Sequence, residues 1–188
     1  MSGRRVIARG TALAAVLAGL GLAADAAWIP AKAALAQILL ERAFTRAVAE
    51  GRPVRAWASA DTEPVARLTL AGRSFVVLRG GSGGALAFAP GHLDGTPEPG
   101  EPGTAVIAAH RDTQFAVLGA VKTGDPLSVT RRDGRTVHFR VVGTRVAPWD
   151  ASGIDPAAPG RRLTLVTCWP LNGVRSGPLR LIVEAVAP

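Results

Sequence analysis

Cysteine occurs once in this 188-residue chain, and aromatic residues make up only 5% of it. A single cysteine excludes an intramolecular disulfide and any zinc or iron–sulfur site built from several cysteines. A metal site combining His92, His110 and Cys168 would contain no short-spaced ligand pair, so no metal or cofactor is expected. The low aromatic content leaves no aromatic-rich strand of the kind that stacks nucleic-acid bases. There is no internal repeat and no long charged block. Charged residues are only 19%, yet hydrophobic ones reach 48%, which excludes a disordered chain. The length suits one ordinary domain plus an appendage.

What is abundant is basic charge, glycine and proline. The net charge is +8, with 22 Gly and 14 Pro. The charge is uneven: residues 1–60 carry eight basic and three acidic groups, whereas residues 61–188 carry 14 and 11. Arg4, Arg5 and Arg9 precede an uncharged stretch from Gly10 to Ala24, and apolar character continues past Asp25 to Ala31. Clustered positive charge before a long apolar run is the pattern of a membrane-targeting segment with its charges in the cytoplasm. Trp28 suits an interfacial anchor. An uncleaved signal anchor over 1–31 is preferred to two other readings. One is a signal peptide cleaved near Ala24-Asp25-Ala26, and the other a buried core helix. Either targeting reading puts the rest of the chain outside the cytoplasm, and the anchor reading holds it on a cytoplasmic membrane crossed once. Residues 31–50 read as a helix, with Ala34, Ile38, Leu39 and Ala43 on one face and Gly51-Arg52-Pro53 ending it. It forms a stem or linker over 32–60.

From residue 61 the pattern is β. Strands are predicted at 67–71, 74–78, 104–109, 126–131, 136–142, 144–147, 163–167 and 179–186, separated by Gly/Pro turns. One short helix is expected near 113–118. About eight strands in this length point to a closed or nearly closed barrel. Gly80-Gly81-Ser82-Gly83-Gly84 lacks the ending of a phosphate loop and reads as a flexible turn. Arg131, Arg132 and Arg135 flank a turn and read as solvated, and His138 alternates with apolar neighbours toward solvent.

Cys168 closes a strand and is followed by Trp169-Pro170, so its thiol lies where a rigid sheet gives way to a loop. His110 has the same setting after Ala105–Ala109. Cysteine acyl chemistry needs a thiolate, a proton donor for the leaving group and a donor for the oxyanion. Arg180, at the head of the last strand, is the best candidate for the third role, and Arg175 its rival. A buried structural cysteine is the competing reading of Cys168.

These residues resemble the sortases, cysteine transpeptidases of bacterial surfaces. Thr164-Leu165-Val166-Thr167-Cys168 matches their TLxTC motif, His110-Arg111-Asp112 their G-H-R-D variant, and the order His, Cys, Arg is theirs. Trp28-Ile29-Pro30 through Glu41 and Pro90-Gly91-His92-Leu93-Asp94-Gly95-Thr96 are similar to the Gram-negative (class GN) subgroup. Ala109 replaces the usual Gly before the His. Leu171-Asn172 stands where relatives often carry an aromatic and an acid, which bears on substrate preference.

The resemblance implies a mainly β, closed eight-stranded sortase-type barrel with short helices over 61–188, behind a membrane helix and stem. It implies His110, Cys168 and Arg180 as catalytic residues. His92, Asp112, Thr167, Trp169 and Arg175 are candidates for substrate binding or support, Asp112 by orienting His110 or bracing its loop. The partner would be an exported protein with a C-terminal LPxTG-like sorting signal, transferred to an amine acceptor. Two other readings remain: a non-catalytic membrane-tethered binding barrel, and a different exported cysteine peptidase. No nucleic-acid partner is expected.

Overall fold

The computed structural model describes Gly19, Trp28, residues 31–175 and residues 177–188. The expected membrane segment, 1–31, falls almost wholly outside these. Among the described residues no helix is long and apolar enough to cross a membrane. The chain divides into two compact units, 1–38 and 39–188, and the rest of this description concerns the second.

Helix α1 runs over 31–50. Leu40 and Phe44, one turn apart, are buried with Val76, Leu78, Ala85 and Ala89, so this part of the expected stem packs on the sheet. Glu41, on the same helix, pairs with Arg67 of the first strand at 2.5 Å.

Eight strands follow: β1 Pro64–Leu70, β2 Arg73–Arg79, β3 Gly91–His92, β4 Gly103–Ala108, β5 Pro126–Arg131, β6 Thr136–Pro148, β7 Arg161–Cys168 and β8 Leu179–Val186. They close into a barrel in the order β1-β2-β3-β4-β7-β8-β6-β5. β1 shows why a barrel forms: every second residue, Pro64, Ala66, Leu68 and Leu70, is buried. The two-residue turn Ala71-Gly72 joins it to β2 with φ of 47° and 71°. Positive φ at both turn positions matches the right-handed twist of a hairpin.

The strand count agrees with the sequence reading, but its composition differs. The expected strands 136–142 and 144–147 are one strand, β6. A bulge between Val141 and Gly143 bends it, so that it pairs β5 with its first half and β8 with its second. The eighth strand is β3, two residues inside what reads as a Gly/Pro loop. It lies close to β2: a side chain at Gly91 would collide with the Gly80 carbonyl. The glycine cluster is not merely a flexible turn. Ser82 Oγ accepts from Ala85 N at 3.2 Å and caps a six-residue helix, α2, Gly83–Phe88. The helix expected near 113–118 is a 3-10 helix, Gln114–Ala120, whose Phe115 and Leu118 enter the barrel core.

Arg131 and Arg132 are not simply solvated. Arg131 contacts Glu98, Glu101 and Asp133, and Arg132 contacts Glu63. These contacts neutralise the basic turn and tie it to the β3–β4 connection.

β4 and β7 are parallel neighbours, and β8 returns antiparallel to β7. The carboxyl ends of β4 and β7 and the amino end of β8 therefore meet at one rim of the barrel.

Candidate active site

Register assembles the three candidate residues. Cys168 is paired directly with Arg180 across β7 and β8. Opposite residues of an antiparallel pair hold their Cβ atoms about 5 Å apart. β4 and β7 run with a constant offset, from Gly103↔Arg161 to Ala108↔Val166. Two bonds carry that alignment past the last pair: Ala109 N donates to Val166 O at 3.1 Å, and Thr167 Oγ1 donates to Ala109 O at 2.7 Å across the same 58-residue separation. His110, the next residue, comes level with Cys168.

Cys168 and Arg180 share a face. The odd-numbered Ile107 and Ala109, Leu163 and Leu165, and Leu181 and Val183 belong to the barrel core. The alternation of a strand sends the even-numbered Cys168 and Arg180 to the outer face, and His110, two residues past the end of β4, is exposed. Cys168 and Arg180 are half-buried and His110 is exposed, so the row is open to a substrate. The arrangement runs imidazole, thiol, guanidinium across three adjacent strands. An imidazole thus lies to one side of the thiol and a guanidinium to the other, groups able to carry a proton and to hold an anion.

Arg180 Nη1 donates to Gly177 O at 2.8 Å and to Leu179 O at 2.9 Å. Among the described residues its Nε and Nη2 have no partner and no carboxylate pairs with it, which leaves N–H groups for an anionic oxygen. The His110 imidazole likewise has no hydrogen-bond partner among the described residues, and Phe115 N donates to the His110 carbonyl at 3.0 Å. The Cys168 thiol is free.

The supporting candidates fall elsewhere. His92 is paired with Ile107, a core residue, so it lies on the opposite face from His110 and not at the site's edge. Its Nε2 is engaged with Pro97 O at 2.9 Å and Thr96 Oγ1 at 3.2 Å, bracing the β3–β4 connection. Thr167 points inward and is 2% exposed, so its role is the bond to Ala109, not contact with a substrate. Trp169 packs partly buried against the core, and its N–H donates to Leu179 O at 3.0 Å, closing the β7–β8 loop at its base. Asp112 is exposed and makes no hydrogen bond or ion pair among the described residues, so it does not orient His110. Arg175 is exposed, and its carbonyl accepts from Arg111 Nη2 at 2.9 Å. That contact belongs to a residue the sequence reading left without a role. Its place directly after His110 was the only signal.

A cavity of about 430 Å³ lies between the β1–β2 turn and the start of β5 and is lined by none of His110, Cys168 or Arg180. The strand-end row is the candidate site on the chemistry of its groups, not on cavity size. Among the described residues no group of three or more His, Cys, Asp or Glu side chains is placed to hold a metal ion.

Comparison with known proteins agrees with this fold. The family model described as the sortase domain matches residues 68–187. Sortase D of Bacillus subtilis (strain 168) is 31% identical over 94 residues, 50% of this chain and 47% of that protein, so the chain spans about half the length of the curated relative it matches. Among solved structures, sortase A from Corynebacterium diphtheriae superposes with a TM-score of 0.62 at 27% identity, over 69% of this chain and 63% of that one. A sortase E variant from Streptomyces avermitilis gives 0.55 at 29% identity, over 66% and 87%.

Proposed function

The chain belongs to the sortase family, and from that membership we propose that it is a cysteine transpeptidase that processes an LPxTG-like sorting signal on an exported protein. The observation that carries this reading is the pairing of Cys168 with Arg180 on one side and, on the other, the bonds that hold Ala109, the residue before His110, to Val166 and Thr167. In the proposed reaction the Cys168 thiolate attacks the carbonyl carbon of the signal's threonine. Arg180 steadies the substrate and the developing oxyanion, together with a backbone N–H. His110 gives a proton to the departing amine, and the acyl group stays on sulfur as a thioester. An incoming amine then attacks the thioester, with His110 taking its proton, and the thiolate leaves. Water in place of the amine would make the enzyme a hydrolase.

The finer assignment is to the Gram-negative subgroup, supported by the Pro90–Thr96 segment and the stretch from Trp28 to Glu41. The arginine cluster and apolar run at the amino terminus support a single-pass anchor in the cytoplasmic membrane, with the barrel outside the cytoplasm. An anchor would raise the effective concentration of substrates tethered to the same surface.

The full chain, given an LPxTG-type peptide and an amine, should produce the transfer product. Alanine at Cys168 should abolish it, and alanine at His110 should lower it about 10²- to 10⁴-fold. Turnover that survives alanine at Cys168 would refute the assignment. A reporter fused after residue 60 should be active only outside the cytoplasm, and cytoplasmic activity would refute the topology.

A further inference from the structure

The loop from Trp169 to Pro178 joins the strand of Cys168 to the strand of Arg180. Its base is closed by the bond from Trp169 N to Leu179 O. The Arg180 guanidinium rests on this loop, at Gly177 O. Where the loop sits therefore decides where that cation sits relative to the thiol.

Arg111 follows His110 on the neighbouring strand end. Its Nη1 donates to Pro170 O at 3.1 Å and its Nη2 to Arg175 O at 2.9 Å. One planar fork thus grips two carbonyls near opposite ends of the loop, a geometry that lysine does not reproduce. No carboxylate pairs with Arg111 among the described residues, so its charge is committed to these dipoles. The loop makes room for it: a Cβ at Gly173 would lie 2.9 Å from Arg111 Nη1 and 3.1 Å from Pro170 O. Gly173 N also donates to Pro170 O, at 3.0 Å, so that carbonyl accepts twice.

We propose that Arg111 is a positioning residue for the reaction: it clamps the β7–β8 loop to the His110 strand end and so holds the Arg180 guanidinium beside Cys168. The proposal rests on the sortase reading of the site. Arg111 touches no reacting atom and acts through Arg180. A loop free to shift by about 1 Å is enough to lower turnover about 100-fold.

The test uses the full chain with Arg111→Met, Arg111→Lys and Gly173→Ala. The glycine variant keeps Arg111 and displaces it, so it carries the test if loss of Arg111 prevents folding. Amide exchange of the 169–178 segment, read by mass spectrometry, should accelerate about 10-fold or more, with the β4, β7 and β8 segments unchanged. Unchanged exchange in the loop overturns the clamp, whether or not the peptide is turned over. With an LPxTG-type peptide, kcat should fall about 10- to 100-fold in all three variants, with no rescue by lysine. In an Arg180→Lys background, Arg111→Met should cost less than about threefold more, because the two act on one step. Faster loop exchange with wild-type kcat, or full multiplicative loss in the double variant, overturns the positioning role. An inactive wild-type chain would instead count against the sortase reading, and loop exchange would still decide the clamp.

Discussion

Thr167 separates the two faces of the site at the level of single side chains. It precedes Cys168 in a motif that the sequence makes conspicuous, and it points the other way. Strand alternation sends Cys168 outward and Thr167 into the barrel, where its hydroxyl bonds the Ala109 carbonyl. The threonine thus extends the β4–β7 ladder to the residue before His110. Thr167→Val keeps the shape and removes the hydroxyl, leaving a buried carbonyl without that donor. The expected cost is about 1–3 kcal/mol, with a lowered melting temperature, and turnover should fall further than stability alone explains. Unchanged melting and turnover would refute the ladder role. Cys168, His110 and Arg180 stood out in the sequence because each lies near a strand end and their order fits a known chemistry. For His92 and Asp112 residue type was the main guide, and residue type does not report which face a side chain takes. The register turns His92 to the opposite face, and its ring is held by Thr96 and Pro97. Arg111 was passed over because a lone arginine beside a catalytic candidate gives no hint that its partners are backbone carbonyls about 60 residues away.

Elements with strong alternation and clear turns were read well. β5 and β8 have the expected bounds, since Pro126 and Ser176-Gly177-Pro178 mark their starts. The errors share a cause: local signals do not report long-range pairing. Gly143 looks like a break, yet the bulge beside it lets one strand serve two neighbours. β3 is two residues long, too short for any periodicity, and exists only because β2 and β4 flank it. α2 begins at two glycines, poor helix formers, and is set by the Ser82 cap. The β1–β2 turn also carries a testable flaw. Ala71 sits at φ 47°, where a Cβ costs about 1–2 kcal/mol, and asparagine is preferred at that position of such a turn. Ala71→Asn should raise stability by about 0.5–1 kcal/mol in denaturant unfolding. A loss of stability would show that the turn is held by something other than local conformation.

At the scale of the whole molecule, barrel closure converts three distant sequence positions into one site. His110 and Cys168 come to the same rim because β4 and β7 are parallel neighbours, a pairing that no local pattern announces. The family resemblance supplied it, and the register then gives it a physical basis. The same closure places Arg180 beside Cys168 without a dedicated motif, through the return of β8. The core that enforces this geometry is shared by all the strands of the site: Ile107, Leu165 and Val183 are each 0% exposed on the inner face. The central claim is that Cys168 carries an acyl group in turn with His110 and Arg180. The direct measurement is the intact mass of the full chain after brief mixing with an LPxTG-type peptide, followed by hydroxylamine. The account predicts an adduct on Cys168 equal to the peptide's amino-terminal fragment, released by hydroxylamine and absent in Cys168→Ala. A peptide cut with no adduct on Cys168, or an adduct that persists in Cys168→Ala, would contradict it.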